Sequence, residues 1–195
     1  MSAARARGPQ TLKGALLYAD SGLTTPRVIA FSYNPETLKR TLQPDVGGGE
    51  EGDRSQAVRF KSAPAEKLEV EVEIDATDLL EQDDPVTVAS GIIPQLAALE
   101  LLVYPRSTGI TQPEMMLNSG APLLLFVWER NRVVPVRITG YTISEEAFDA
   151  NLNPIRASVT LNMQVLNCSD LRSSNAGYLQ FLAYQLNMET ATSPT

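Results

Sequence analysis

Residues 157–165 constrain this chain more than any other stretch, because their period of two has one three-dimensional solution. Ala157, Val159, Leu161, Met163 and Val165 share one face, while Ser158, Thr160, Asn162 and Gln164 share the other. Only a β-strand sends alternate side chains to opposite sides in this way. The run before it, residues 133–143, is rich in β-branched side chains (Val133, Val134, Val136, Ile138, Thr142, Ile143), and the link between the two carries the turn formers Asp149, Asn151, Asn153 and Pro154. The pair reads as a long β-hairpin. An earlier strand at 123–128 returns through the polar turn 129–132, so three consecutive antiparallel strands make half a barrel or one sheet of a sandwich.

A second alternation is sharper still. Leu68, Val70, Val72 and Ile74 face one way and Glu69, Glu71, Glu73 and Asp75 the other. Carboxylates spaced about 6.5–7 Å along one strand face would suit acid–base work or a cation. They suit a solvated face better, since charge on the open side of a strand also blocks edge aggregation. Asp75, Asp78, Glu81, Asp83 and Asp84 add acidic density without the spacing of a calcium loop.

Elsewhere the pattern is weaker. Residues 14–18 are an apolar run too short to bury alone, and 27–33 read as the first firm strand, ended by the turn Asn34-Pro35. Residues 35–42 suit either a helical turn or an extended arm. From Asp84 the period lengthens, with Val88, Ile92, Leu96 and Leu99 predicting one helix that has Pro94 in its first turn and Pro105 beyond its end. Residues 106–121 read as a long loop in which the adjacent Met115 and Met116 suggest a half-buried lid or a subunit contact. Residues 177–188 predict a short helix with Tyr178, Leu182 and Gln185 on one side, folding back on its own domain or docking on a neighbour.

With 195 residues, 43% of them hydrophobic, one domain with a full core is the simplest division. We expect a leader over 1–11, a β-domain over 12–166 and a C-terminal arm and tail over 167–195. The 16 basic against 23 acidic residues argue against nucleic acid, whose phosphates need clustered Lys and Arg. The chain has no His and only Cys168, so it lacks the usual zinc and haem ligands and any internal disulfide, which fits a reduced, intracellular setting. No secretory signal and no run of about 18 apolar residues is present, so neither secretion nor membrane insertion is expected.

Chemistry is sparse. Gly47, Gly49 and Gly52 satisfy G-x-G-x-x-G, but Pro44 and Asp45 precede them and Glu50, Glu51 and Asp53 would repel a pyrophosphate. Without His, and with no G-x-S-x-G or P-loop, catalysis would rest on Asp, Glu, Lys or Tyr, and no spacing selects a pair. The expectation is a protein without catalytic residues, metal or cofactor.

The order of features carries a resemblance. A strand ending in Phe31, Tyr33, Asn34, Pro35 and Glu36 precedes a glycine-rich loop, Phe60 and the alternating strand ending at Asp75. Then come the helix, Phe126 and Trp128, a strand through Tyr141, Phe148, and a turn into Pro154, Ile155, Arg156 and Ala157. Over roughly residues 12–166 this resembles the tube-like baseplate proteins of contractile injection systems, phage-tail-like particles whose members often carry a LysM module after this domain. Only residues 167–195 follow here, so LysM-type binding is not carried over.

The resemblance implies a mainly β fold, a barrel or sandwich like a phage tail tube, with a central helix and a short C-terminal helical arm. It also implies a structural subunit in a ring, a hexamer in such families, that joins the inner tube to the spike and baseplate and is assembled in the cytoplasm. Partners would be the chain itself and the tube, spike, baseplate and sheath proteins. Candidate subunit contacts are Asn34, Pro35, Met115, Met116, Phe148, Pro154, Arg156, Tyr178, Phe181 and Tyr184. A rival reading is a stand-alone barrel that holds a small apolar ligand beneath the helix.

Overall fold

The computed structural model describes residues 13–19, 27–44, 63–104, 123–129, 132–171 and 176–191. Seven strands form one antiparallel sheet: β1 (Ala15–Ala19), β2 (Arg27–Ala30), β3 (Leu38–Gln43), β4 (Ala65–Asp75), β5 (Leu123–Glu129), β6 (Arg132–Phe148) and β7 (Pro154–Val165). Their order is β2-β1-β5-β6-β7-β4-β3. Three short helices follow β4, namely α1 (Thr77–Glu81), α2 (Pro85–Ser90) and α3 (Ile93–Glu100), and α4 (Ala176–Ala191) closes the described chain.

The two alternating runs are the middle of this sheet. β4 pairs with β7 from Lys67↔Gln164 to Asp75↔Arg156, so Val70 meets Leu161 and Val72 meets Val159 on the dry face. Those residues are buried, whereas Glu69, Glu71 and Glu73 are exposed, as the pattern predicts. The same dry face continues through Val134 and Val136 on β6, Leu124 and Phe126 on β5, and Leu16 and Tyr18 on β1, which join one core cluster. Phe126 stacks on Trp128 with ring centroids 5.8 Å apart.

The hairpin between β6 and β7 is held by one carboxylate. Asp149 Oδ1 accepts the amides of Asn151 at 2.7 Å and Asn153 at 2.8 Å, and its Oδ2 accepts Asn153 Nδ2 at 2.9 Å. These bonds hold the Asp149 carboxyl below the usual carboxylate range, with the Asn153 side chain the largest cause. The turn therefore sets the register in which Phe148 meets Pro154.

Three expectations are corrected, and of the two alternatives for residues 35–42 the extended one holds. The short run at 14–18 is an internal strand, β1, paired on both sides by β2 and β5, while the supposed first firm strand shrinks to the four residues of edge strand β2. Residues 38–43 are strand, because the backbone groups along the outer edge of β4 need partners and β3 supplies them. The single helix is two: Gly91 adopts φ 57°, where an added Cβ would collide with the Pro154 carbonyl, and the Ile92 amide donates to that same oxygen at 2.8 Å. Pro94 does lie in the first turn of α3. Finally, α4 buries Gly177, Phe181 and Tyr184 instead of the predicted Leu182 face.

Candidate functional site

The wet face of the sheet is the first place to look for chemistry. Lys39 Nζ lies 3.3 Å from Glu69 Oε2, and Ser158 Oγ donates to Glu71 Oε1 at 2.6 Å. Asp75 Oδ1 accepts the Thr77 amide at 2.7 Å; bonds from Thr77, with Arg156 opposite, hold its carboxyl below the ordinary range. Among the described residues no three Asp, Glu or Cys gather as a metal set. The face is instead polarised along its strands. A cavity of about 400 Å³ is lined by Glu36, Glu71, Glu73 and Glu146 and by no cation, while a second of about 350 Å³, toward the start of β4, takes in Lys39 and Lys67 with Glu69.

Behind the sheet lies a buried polar cluster that was missed in reading the sequence. Glu66 is buried on the dry side of β4, where Arg40 donates to its Oε1 from Nε at 2.8 Å and Arg40 Nη2 also donates to the Tyr184 hydroxyl at 2.7 Å. Burial first, and Glu66 second, push the Tyr184 hydroxyl above its ordinary pKa. The cluster fastens α4 to β3 and β4, and a charge pair with this geometry is expensive to break. A Glu at an apolar position of an otherwise strict alternation was the available signal.

The surfaces suited to binding are two strand edges and three apolar features. β4 and β7 have neighbours on both sides within the chain, which leaves β2 and β3 as the ends of the sheet, and the β6 ladder to β5 stops at Val136. Between β2 and α3 an apolar groove of about 490 Å³ is lined by Val28, Ile29, Ala98, Leu101, Leu102 and Tyr104. A smaller one of about 310 Å³ runs beneath α3 beside Phe31, Val72 and Ile74. On α4, Leu179, Leu182 and Leu186 are exposed.

The predicted contact residues separate into three groups. Asn34 Oδ1 accepts the Gly14 amide at 3.0 Å, tying the Asn-Pro turn to β1, and Asn34 and Pro35 share the acidic cavity with Glu146 and Ser158. Phe148 and Arg156 are exposed on the same hairpin. Pro154 is buried at the start of β7, Tyr178 is half-buried, and Phe181 and Tyr184 point into the chain's own core, so α4 folds back in cis through them. Met115, Met116, the glycine-rich loop and the leader lie outside the described residues. Among the described residues no helix is long and apolar enough to cross a membrane.

One antiparallel sheet with β2 and β3 at its two ends and a polar face, with no metal set gathered among the described residues, defines a class: a mainly β protein. The particular family follows from the sequence. A family model described as contractile injection system tube protein matches residues 17–173, and the chain belongs to that family, a structural component of phage-tail-like particles. No curated protein matches it. Among solved structures it is similar to a chain in the tail of an empty GTA particle refined with C6 symmetry, at 12% identity and TM-score 0.32 over 77% of this chain and 90% of that one. It is also similar to a chain of the six-fold symmetrised anti-feeding prophage baseplate, at 10% identity and TM-score 0.31 over 82% and 93%.

Proposed function

We propose that this tube-family subunit forms a closed ring of identical copies, six by the family resemblance, which joins the inner tube of the particle to its spike and baseplate after assembly in the cytoplasm. The observation that carries this reading is the pair of unlike sheet ends on one chain, β2 at one and β3 at the other. Joining unlike edges of identical subunits is a heterologous contact, which closes into a ring when the rotation allows. Backbone pairing across the edge supplies adhesion without a dedicated side-chain code. The long hairpin and β4 then serve as the wall, with β7 paired along both its sides within the chain, to β6 and to β4.

Hydrogen exchange on the assembled particle against the free subunit tests this. Amides of β2 and β3 that slow on assembly, while those of β4 and β7 stay slow in both, support the ring; edge amides that exchange equally fast in both states would sink it. The rival, a free-standing ligand carrier, draws its support from the 310 Å³ groove beneath α3. A native mass spectrum of a monomer carrying an apolar molecule would favour it.

A further inference from the structure

Helix α4 is held to the sheet by few side chains. Of its 16 residues only Gly177, Phe181 and Tyr184 are buried, and every residue from Leu186 to Ala191 is exposed. The helix packs on β6, where Gln180 Nε2 reaches the Val133 carbonyl at 3.4 Å, a long bond. The Tyr184 hydroxyl is a firmer anchor: it accepts from Arg40 Nη2 at 2.7 Å and faces both carboxylate oxygens of Glu66 at 3.4 Å. The seat beneath it stands without the helix. Arg40 Nε donates to Glu66 Oε1 at 2.8 Å across β3 and β4, two strands paired in their own right. Lifting the hydroxyl away leaves that charge pair made, so no buried charge is stranded.

We infer that α4 is a releasable strap, which lifts off β6 as one unit and opens the Tyr184 contact while the sheet stays folded. Three features set the helix apart from the sheet. Its buried apolar anchors are few, the local signature of a low opening free energy. Its seat keeps its own ion pair when empty, so the strap can close again on an unchanged surface. A lone helix of this length barely holds its shape in water, so a lifted α4 also unwinds and undocking is cooperative. In β4 and β7, by contrast, Val70, Val72, Val159 and Leu161 are 1% exposed or less and the two strands pair along nine positions from Lys67↔Gln164 to Asp75↔Arg156. Closed, the strap keeps Phe181 and the dry-face residues of its cluster covered; open, it bares them to whatever lies beside the chain. The device operates in a single copy and is independent of any ring.

Hydrogen exchange of the full chain, free in solution at low urea, tests this. Amides of residues 180–185 should exchange well before those of β4 and β7, with a shallower dependence on urea. Tyr184→Phe keeps the buried ring and removes the hydroxyl; it should speed the same α4 amides about tenfold and leave β4 and β7 unchanged. Amides of α4 that share the rate and urea slope of β7 would mean that helix and sheet open together, and would overturn the inference. Unchanged α4 exchange in Tyr184→Phe would overturn it too, since simple fraying of a helix does not respond to that hydroxyl. So would an equal acceleration of helix and sheet.

Discussion

β4 and β3 are neighbours in the sheet, paired from Leu38↔Val70 to Gln43↔Ala65, yet their side chains obey different rules. On β4 burial alternates without a break from Glu66 to Ile74. On β3 the alternation is shallow, with Leu38 and Arg40 only half-buried, and it fails at the dry-side Leu42, which is 50% exposed. β4 is flanked by β7 along most of its length and by β3 over residues 65–70, and its dry face lies in the core. Among the described residues β3 has one neighbour. A strand's alternation is legible to the degree that its surroundings are internal, and an edge keeps part of its specification for a partner.

The same substitution on the two strands is the strongest way to break that comparison. Leu68→Ala on β4, where Leu68 is 2% exposed, should cost about 3 kcal/mol, and Leu42→Ala on β3 less than about 1. Urea midpoints of the monomer decide it; equal losses would mean that the edge is as internal as the wall. Next in size, Arg40→Met strands Glu66 and loosens α4, for a loss of about 2 kcal/mol, discounted from the larger figure for fully buried pairs because Arg40 is partly exposed. Faster proteolysis near residue 176 should accompany it.

The pH limbs sharpen the contrast further. The carboxyls of Asp75, Asp84 and Asp149 are all held below their ordinary range, chiefly by hydrogen bonds from Thr77, Thr87 and Asn153 respectively. Depressed folded-state values mean stability that is complete above the unfolded carboxylate range and is lost as pH falls through the folded values. Asp149→Ala should flatten that acid limb and speed exchange at the hairpin turn alone. At the other extreme, burial with Glu100 nearby pushes Tyr141 up to about 12, so stability should fall as pH rises from about 10, the unfolded value, toward 12. Tyr141→Phe should blunt this fall. Smallest of all, Lys39→Ala removes an exposed pair with Glu69 and should cost less than about 0.5 kcal/mol, vanishing in high salt.

Much of the fold was open to reading from residues alone. The hairpin of β6 and β7, the face of β4 and the returning strand β5 all follow from local periodicity, since each has one wet and one dry side. β1 was undervalued because Leu16 and Tyr18 are in the core while Leu17, on its other face, is also half-buried, which erases alternation. The helix before residue 100 was read as one because apolar spacing runs through Gly91 without recording its left-handed turn. Of the candidate contact residues, Asn34, Phe148 and Arg156 are exposed and Pro35 half-buried, while Phe181 and Tyr184 lie on the buried side of a helix for which the sequence left both an inward and an outward docking open.

By itself the sequence determined that this chain is a sheet protein with an acidic wet wall, because alternation and charge are local properties that survive in any tertiary setting. Strand order, the two open edges and the side of α4 that turns inward were decided only in three dimensions. Those depend on which distant segments meet, as when Arg40, Glu66 and Tyr184 converge from three elements, and no periodicity along the chain encodes that meeting.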